Sequence, residues 1–156
     1  MSIRNAAKAI ILHENKVLLN RCSSPDTGEY YTLPGGGQNQ YETMEEAVVR
    51  ECLEETGYAV RVEALVAVHE EIYANKRFRK EHPYHSHKCF HVFRCSLAAQ
   101  EKIAPSEQDA NQTGCVWVEL GDIPSIRLYP SRIHEHFHEI VHADAPLYLG
   151  SATVTF

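Results

Sequence analysis

Positive charge is in short supply in this chain. With 15 Lys and Arg against 21 Asp and Glu in 156 residues, the formal charge is -6. That excludes a long nucleic-acid polymer as the main partner, because phosphate backbones are held chiefly by clustered Lys and Arg. A small anion held through a metal remains compatible with it. No segment approaches the roughly 20 apolar residues that a membrane span needs, and the apolar run near the amino terminus is broken by His13 and Glu14, unlike a secretory signal. No CxxC pair occurs. The five cysteines, Cys22, Cys52, Cys89, Cys95 and Cys115, are odd in number and scattered, a usage expected of reduced thiols in the cytoplasm. Low-complexity stretches, repeats and Pro/Gly/Ser-rich linkers are also missing, so residues 1–156 are expected to form a single domain.

Ordinary globular content remains, 44% hydrophobic and 23% charged. Residues 6–22 read as two strands about a tight turn at Glu14 and Asn15, and residues 23–30 read as loop from their Ser, Pro, Asp and Gly. "YYTLP" (30–34) is a short strand leading into glycines. Residues 59–73, 88–97 and 114–120 are β-branched or alternating and read as further strands. A last helix is expected across 131–143, where Ile133, Phe137, Ile140 and Val141 recur at i, i+4, i+7 and i+8. The sum is a mixed sheet with two main helices.

The other helix is delimited by its ends. Thr43 followed three residues later by Glu46 is a capping-box signal, and Gly57 is placed to end the helix in a left-handed turn, giving a span of about Met44 to Thr56. In projection Val48, Val49, Cys52, Leu53 and Thr56 share the expected core side, while Glu51, Glu54 and Glu55 fall within roughly 100° on the other, with Ala47 one turn back. These acids crowd the negative end of the helix dipole, and Glu51 and Glu55 form a like-charged i, i+4 pair. A local rule broken without local gain points to a functional site. Clustered carboxylates suit a hard divalent cation such as Mg²⁺, and the adjoining Pro34 and three glycines can bring bare backbone to an ion or phosphate.

Gly36, Glu42 and then Arg50, Glu51, Glu54, Glu55 and Gly57 stand at the spacing of the Nudix box, with Cys52 and Tyr58 at its apolar positions. The chain thus resembles the Nudix (MutT-like) hydrolases. The lead-in "YTLPGG" and the later "VWVEL" with "IP" resemble the family too, and Tyr41 departs from the Gly common before the box Glu. The resemblance implies an α+β Nudix fold, a mixed sheet sandwiched between helices (α/β/α). It implies a pyrophosphohydrolase acting on a nucleoside diphosphate linked to another group (a nucleoside triphosphate, dinucleoside polyphosphate or nucleotide sugar), with Mg²⁺ or Mn²⁺ as cofactor. Glu54 and Glu55 would be metal ligands, Glu51 a ligand or the base that takes water's proton, and a turn carbonyl, here Gly35, a further ligand. Arg50 belongs to the catalytic set, more as an orienting ion pair with Glu42 than as a reacting group. The alternative is a Nudix-like domain that binds a nucleotide as a sensor without cleaving it. The partner implied is a small nucleotide, with a homodimer left open.

Substrate choice is expected outside the box. Residues 73–88 carry Lys76, Arg77, Arg79 and Lys80 with Phe78 and Tyr84 interleaved, so Arg77 and Arg79 are candidates to grip phosphates, and Tyr73 and Phe78 to stack on a base. Ten histidines raise a second idea: His82, His85 and His87 in one loop, and His134, His138 and His142 along one helix edge, at a spacing that can bind zinc.

Overall fold

In a computed structural model of the chain, residues 3–155 are described. Strands β1 (Arg4–His13) and β2 (Lys16–Ser24) meet at the expected turn, where Glu14 and Asn15 both take positive φ, 46° and 63°. That backbone matches the right-handed twist of a two-residue hairpin. The two strands then part. Only Leu12↔Val17 and His13↔Lys16 pair directly. β2 continues with β3 (Gly28–Thr32) and β7 (Gln112–Glu119), both antiparallel. β1 continues antiparallel with β4 (Gly35–Gly37) and parallel with β6 (His87–Lys102), which pairs in turn with β5 (Tyr58–Tyr73). Two elements unforeseen in the sequence complete the sheet, the short β8 (Leu128–Tyr129) on β3 and β9 (Leu147–Val154) parallel to β5. The segment 23–30 is mostly hairpin strand rather than loop; only the turn around Pro25 and Asp26 lies outside β2 and β3.

Helices cover both faces, so the arrangement is the α/β/α sandwich expected. Helix α1 (Met44–Thr56) packs Ala47, Val48 and Cys52 against Ala7, Ala9, Ile11, Leu18, Phe93 and Cys95. On the other face lie α3 (Ser131–Glu135) and α4 (Phe137–Val141), whose Ile133, Phe137, Ile140 and Val141 pack with Ile10, Val66 and Val92. Neighbouring residues of β1 therefore bury into opposite cores, which is why its middle reads as an unbroken apolar run. Each fully buried Val, Leu or Ile contributes about 1.5–3 kcal/mol. The last helix is in fact two: His136, at φ -106° and ψ 13°, opens the hydrogen-bond ladder, and the four apolar residues still reach the core. Between β5 and β6 the sequence also hides a short helix, α2 (Lys76–Glu81), capped by the Asn75 side chain.

The core face of α1 is rotated from the one projected. Val49 and Leu53 are each 37% exposed, whereas Ala47 is fully buried and Glu55 is 4% exposed. The helix turns this way because its carboxyl end docks onto a polar seam of Asn20, Gly35 and Gln112 that can receive a carboxylate.

Candidate active site

Local chemistry fixes the helix that presents the acids. Thr43 Oγ1 accepts from the Glu46 amide at 3.1 Å and the Glu46 carboxylate accepts from the Thr43 amide at 2.8 Å, closing the capping box. At the other end Gly57 adopts φ 78° and its N–H reaches the Leu53 carbonyl. The carbonyls next to the acids do not stay bare: the amides of Ser106 and Glu107 both donate to Glu54 O, and Gln112 Nε2 donates to Glu55 O. These donors offset the negative end of the dipole, an arrangement the helix sequence alone could not reveal.

β4 lies under the acids. Its three glycines differ in what they must avoid. A Cβ on Gly35 would sit 2.0 Å from Ala7 O, and one on Gly36 would sit 2.5 Å from the Glu51 carboxyl carbon, so Glu51 rests directly on bare backbone. A Cβ on Gly37 would meet the Arg4 guanidinium at 3.0 Å. Tyr41, the departure from the box, takes φ 70° and projects outward, 96% exposed. The loop thus keeps the left-handed turn that glycine favours, against a cost of about 1–2 kcal/mol for a non-glycine residue.

Arg50 organises the carboxylates. Its Nε and Nη2 bind the two oxygens of Glu42 at 2.7 and 2.9 Å, a bidentate pair that holds the Glu42 carboxyl below its ordinary range. Nη2 also donates to Gly37 O, and Nη1 lies between Glu51 Oε1 at 2.9 Å and Glu54 Oε2 at 3.0 Å. Glu55 is held separately, on Gly35 beside the Gly36 seat of Glu51. Asn20 Nδ2 and the Gly35 amide both donate to its Oε2, at 2.7 and 2.9 Å. Burial pushes its carboxyl above the ordinary value, opposed by Lys8, the Gly35 amide and Asn20. The three glutamates therefore do not share one solvent-facing arc, and among the described residues no three His, Cys, Asp or Glu side chains already form a metal cage. The donors still suit a hard cation: they are carboxylate oxygens, and Glu51 and Glu54 already converge on a positive group.

The remaining candidates lie on α2 and at the end of β5. Arg77 pairs with Glu81 on the exposed side of α2, and Arg79 Nε binds the Tyr73 carbonyl. Tyr73 and Phe78 stack, 4.6 Å between centroids and 20° between planes, and burial pushes the Tyr73 phenol up to about 12. The cations beside the glycines come instead from the sheet: Lys8 Nζ donates to Gly35 O, Arg4 lies against Gly37, and Lys88 pairs in register with Arg4. Sequence reading passed over all three because single basic residues in strands carry no motif. The histidine ideas are not met. His82 packs on Phe78, Arg4 Nη1 donates to His85 Nδ1, and His87 binds Glu70. His134 Nε2 donates to Ile123 O while His138 and His142 meet edge to face, in the wall of a cavity of about 650 Å³ beside Leu120 and Phe137.

Comparison with known proteins gives the family. The NUDIX domain family matches residues 3–139. The chain belongs to that family. A Bacillus subtilis (strain 168) protein whose name proposes it as an 8-oxo-dGTP diphosphatase is 32% identical over 128 residues, 81% of this chain and 72% of that protein. The ADP-ribose pyrophosphatase of Methanocaldococcus jannaschii is 46% identical over 65 residues, 41% of this chain and 38% of that protein. A solved NUDIX hydrolase from Nitrosomonas europaea, 21% identical, superposes with a TM-score of 0.70 over 99% of this chain and 81% of its own. The chain is accordingly an enzyme of the Nudix hydrolase type with an α+β Nudix fold. No helix among the described residues is long and apolar enough to cross a membrane.

Proposed function

We propose that this Nudix chain hydrolyses a phosphoanhydride bond in a nucleoside diphosphate linked to another group, with Mg²⁺ or Mn²⁺ as cofactor, in the cytoplasm. The observation that carries this reading is the convergence of Glu51 and Glu54 on one cationic position, with Glu51 seated on Gly36 where no side chain fits. Glu51, Glu54 and the Gly35 carbonyl are the oxygens that would hold the cation. Glu55 joins them through Oε1, since both of its hydrogen bonds arrive at Oε2. A cation there supplies charge neutralisation for the phosphates and an acidified water.

The chain's own residues do the rest. Glu42 and the Gly37 carbonyl orient the Arg50 guanidinium, which keeps Glu51 and Glu54 from repelling one another before substrate arrives. In the reaction the water oxygen forms a new bond to phosphorus and the bridging P–O bond breaks. The leaving phosphate departs with that electron pair, and water's proton passes to a carboxylate, with Glu51 the candidate where it is not itself a ligand of the cation. Tyr73 at the end of β5 and Phe78 on α2 offer a stacked aromatic surface for a base, with Arg77 and Arg79 next to Phe78 in the chain. The test is a screen of nucleoside triphosphates, dinucleoside polyphosphates and nucleotide sugars, with released phosphate and pyrophosphate measured. Turnover with Mg²⁺ or Mn²⁺ that stops on adding chelator is expected. Binding without turnover would make the chain a sensor, and full activity in metal-free buffer would remove the cation from the mechanism.

A further inference from the structure

Three cations line one face of the sheet next to the glycine strand. Arg4 and Lys88 are partners across β1 and β6, and Lys8 follows Arg4 by four residues, so all three project to the same side. Four residues of strand span about 13 Å. The row is anchored to the active site at each end: Lys8 Nζ donates to Gly35 O, whose amide holds Glu55, and Arg4 packs on Gly37, whose carbonyl holds Arg50.

Lys8 is offset by the buried Glu55, on which it acts, but the end of the row at Arg4 and Lys88 is poorly balanced. Glu71, the partner of Lys88 across β5 and β6, and the more distant Asp109 are the acids that act on Lys88. Burial pulls the Lys88 ammonium below its ordinary value, and the nearness of Arg4 and Lys8 pulls the same way. Arg4 Nε is buried and has no hydrogen-bond partner among the described residues. Aromatic rings flank the row: Lys88 Nζ lies 5.5 Å from the Tyr73 centroid, and the Arg4 guanidinium 5.1 Å from that of Tyr84. A buried donor left open and like charges held together are costs that an anionic ligand relieves.

We propose that Arg4, Lys8 and Lys88 form a subsite for a further phosphate of the substrate, so that the enzyme selects nucleoside tri- or polyphosphates over nucleotide sugars. The inference rests on the hydrolase reading above and narrows its substrate class. The acidic helix faces the diphosphate to be cleaved, and the row of cations receives the phosphate that follows it. A sugar at that place would leave the cations facing hydroxyls, which neutralise nothing.

The experiment compares kcat/KM for dGTP, diadenosine tetraphosphate and ADP-ribose in wild type, Lys88→Gln and Arg4→Gln. Neither position carries a salt bridge among the described residues, and two positions guard against one variant failing to fold. The wild type is expected to favour the phosphate-rich substrates. Each variant should lose roughly tenfold or more on them, chiefly through KM, while ADP-ribose changes by less than about twofold. Equal losses on all three, or a wild type that prefers ADP-ribose, overturns the subsite and leaves the hydrolase reading standing. Absence of all turnover in folded wild type overturns the hydrolase reading instead. Thermal melts with inorganic tripolyphosphate, without metal, then decide the subsite: stabilisation of wild type but not of the variants supports it, and no difference overturns it.

Discussion

Replacing Gly36 by Ala separates the site from the scaffold. The new Cβ would lie 2.5 Å from both Cδ and Oε2 of Glu51 and 2.6 Å from its Oε1. Carbon atoms in contact prefer about 3.5–4.0 Å, so the carboxylate must retreat by about 1 Å. The backbone does not object, because Gly36 has no positive φ, unlike Gly35 at 128°. What moves is the end of a flexible side chain with 17% of its area exposed. Stability should therefore change by no more than about 0.5 kcal/mol. Catalysis should suffer more, since a misplacement of about 1 Å at a reacting centre costs on the order of 100-fold. The assay is kcat/KM on whichever substrate the screen identifies, beside a thermal melt of the same preparation. Gly35→Ala is the comparison: its Cβ would strike Ala7 O at 2.0 Å in a backbone conformation alanine avoids, so it should lower Tm. Near-normal turnover in Gly36→Ala would refute the placement of Glu51 at the reacting centre. A large fall in its Tm would show that Glu51 over Gly36 is structural.

Glu54→Gln should cut turnover by about 10²–10³-fold while the melt barely moves, because Arg50 keeps Glu42 and Glu51 as partners; undiminished turnover would misplace the cation. Glu55→Gln can keep both hydrogen bonds at one oxygen and sheds a buried charge. The raised Glu55 carboxyl binds its proton more tightly in the folded than in the unfolded chain, so wild-type stability falls as pH rises from the ordinary value of 4.5 through the raised one. The metal-free variant should lack that fall and melt higher at neutral pH, with the advantage gone below about pH 4; a variant less stable at neutral pH would mean that the ionised carboxylate is a net support. Thr43→Ala should cost about 1 kcal/mol by removing the cap, read from chemical denaturation, and an unchanged midpoint would contradict the capping geometry.

What could be read from the sequence follows how local each cause is. The Glu14–Asn15 turn and both ends of α1 depend on residues within a few positions of one another, and all three stand where expected. The rotation of α1 does not. Glu55 is drawn inward by Asn20, Gly35 and Lys8, which lie 20 or more residues away, and a helical projection weighs only hydrophobicity. The acids themselves are legible because they break local rules, and the Arg50–Glu54 pair is also local, i to i+4, whereas the anchoring of Arg50 by Glu42 and Gly37 and the amides of residues 106 and 107 require the tertiary fold. The row of Arg4, Lys8 and Lys88 was invisible for the same reason: parallel pairing of β1 with β6 brings together residues more than 80 apart.

Cys52 and Cys95 are buried on the two sides of the contact between α1 and the sheet, and burial pushes both thiols up, Cys95 to about 12. Reagents attack the thiolate, so these two sulfurs stay silent until the helix lifts away. Partly exposed Cys89 and Cys115 offer a fast internal reference. The untouched protein thus carries a built-in clock: labelling of Cys52 and Cys95, followed apart from that of Cys22, which is buried on β2, counts how often the acid-bearing helix leaves its seat. Any cation or nucleotide that tightens that seat should lengthen the interval.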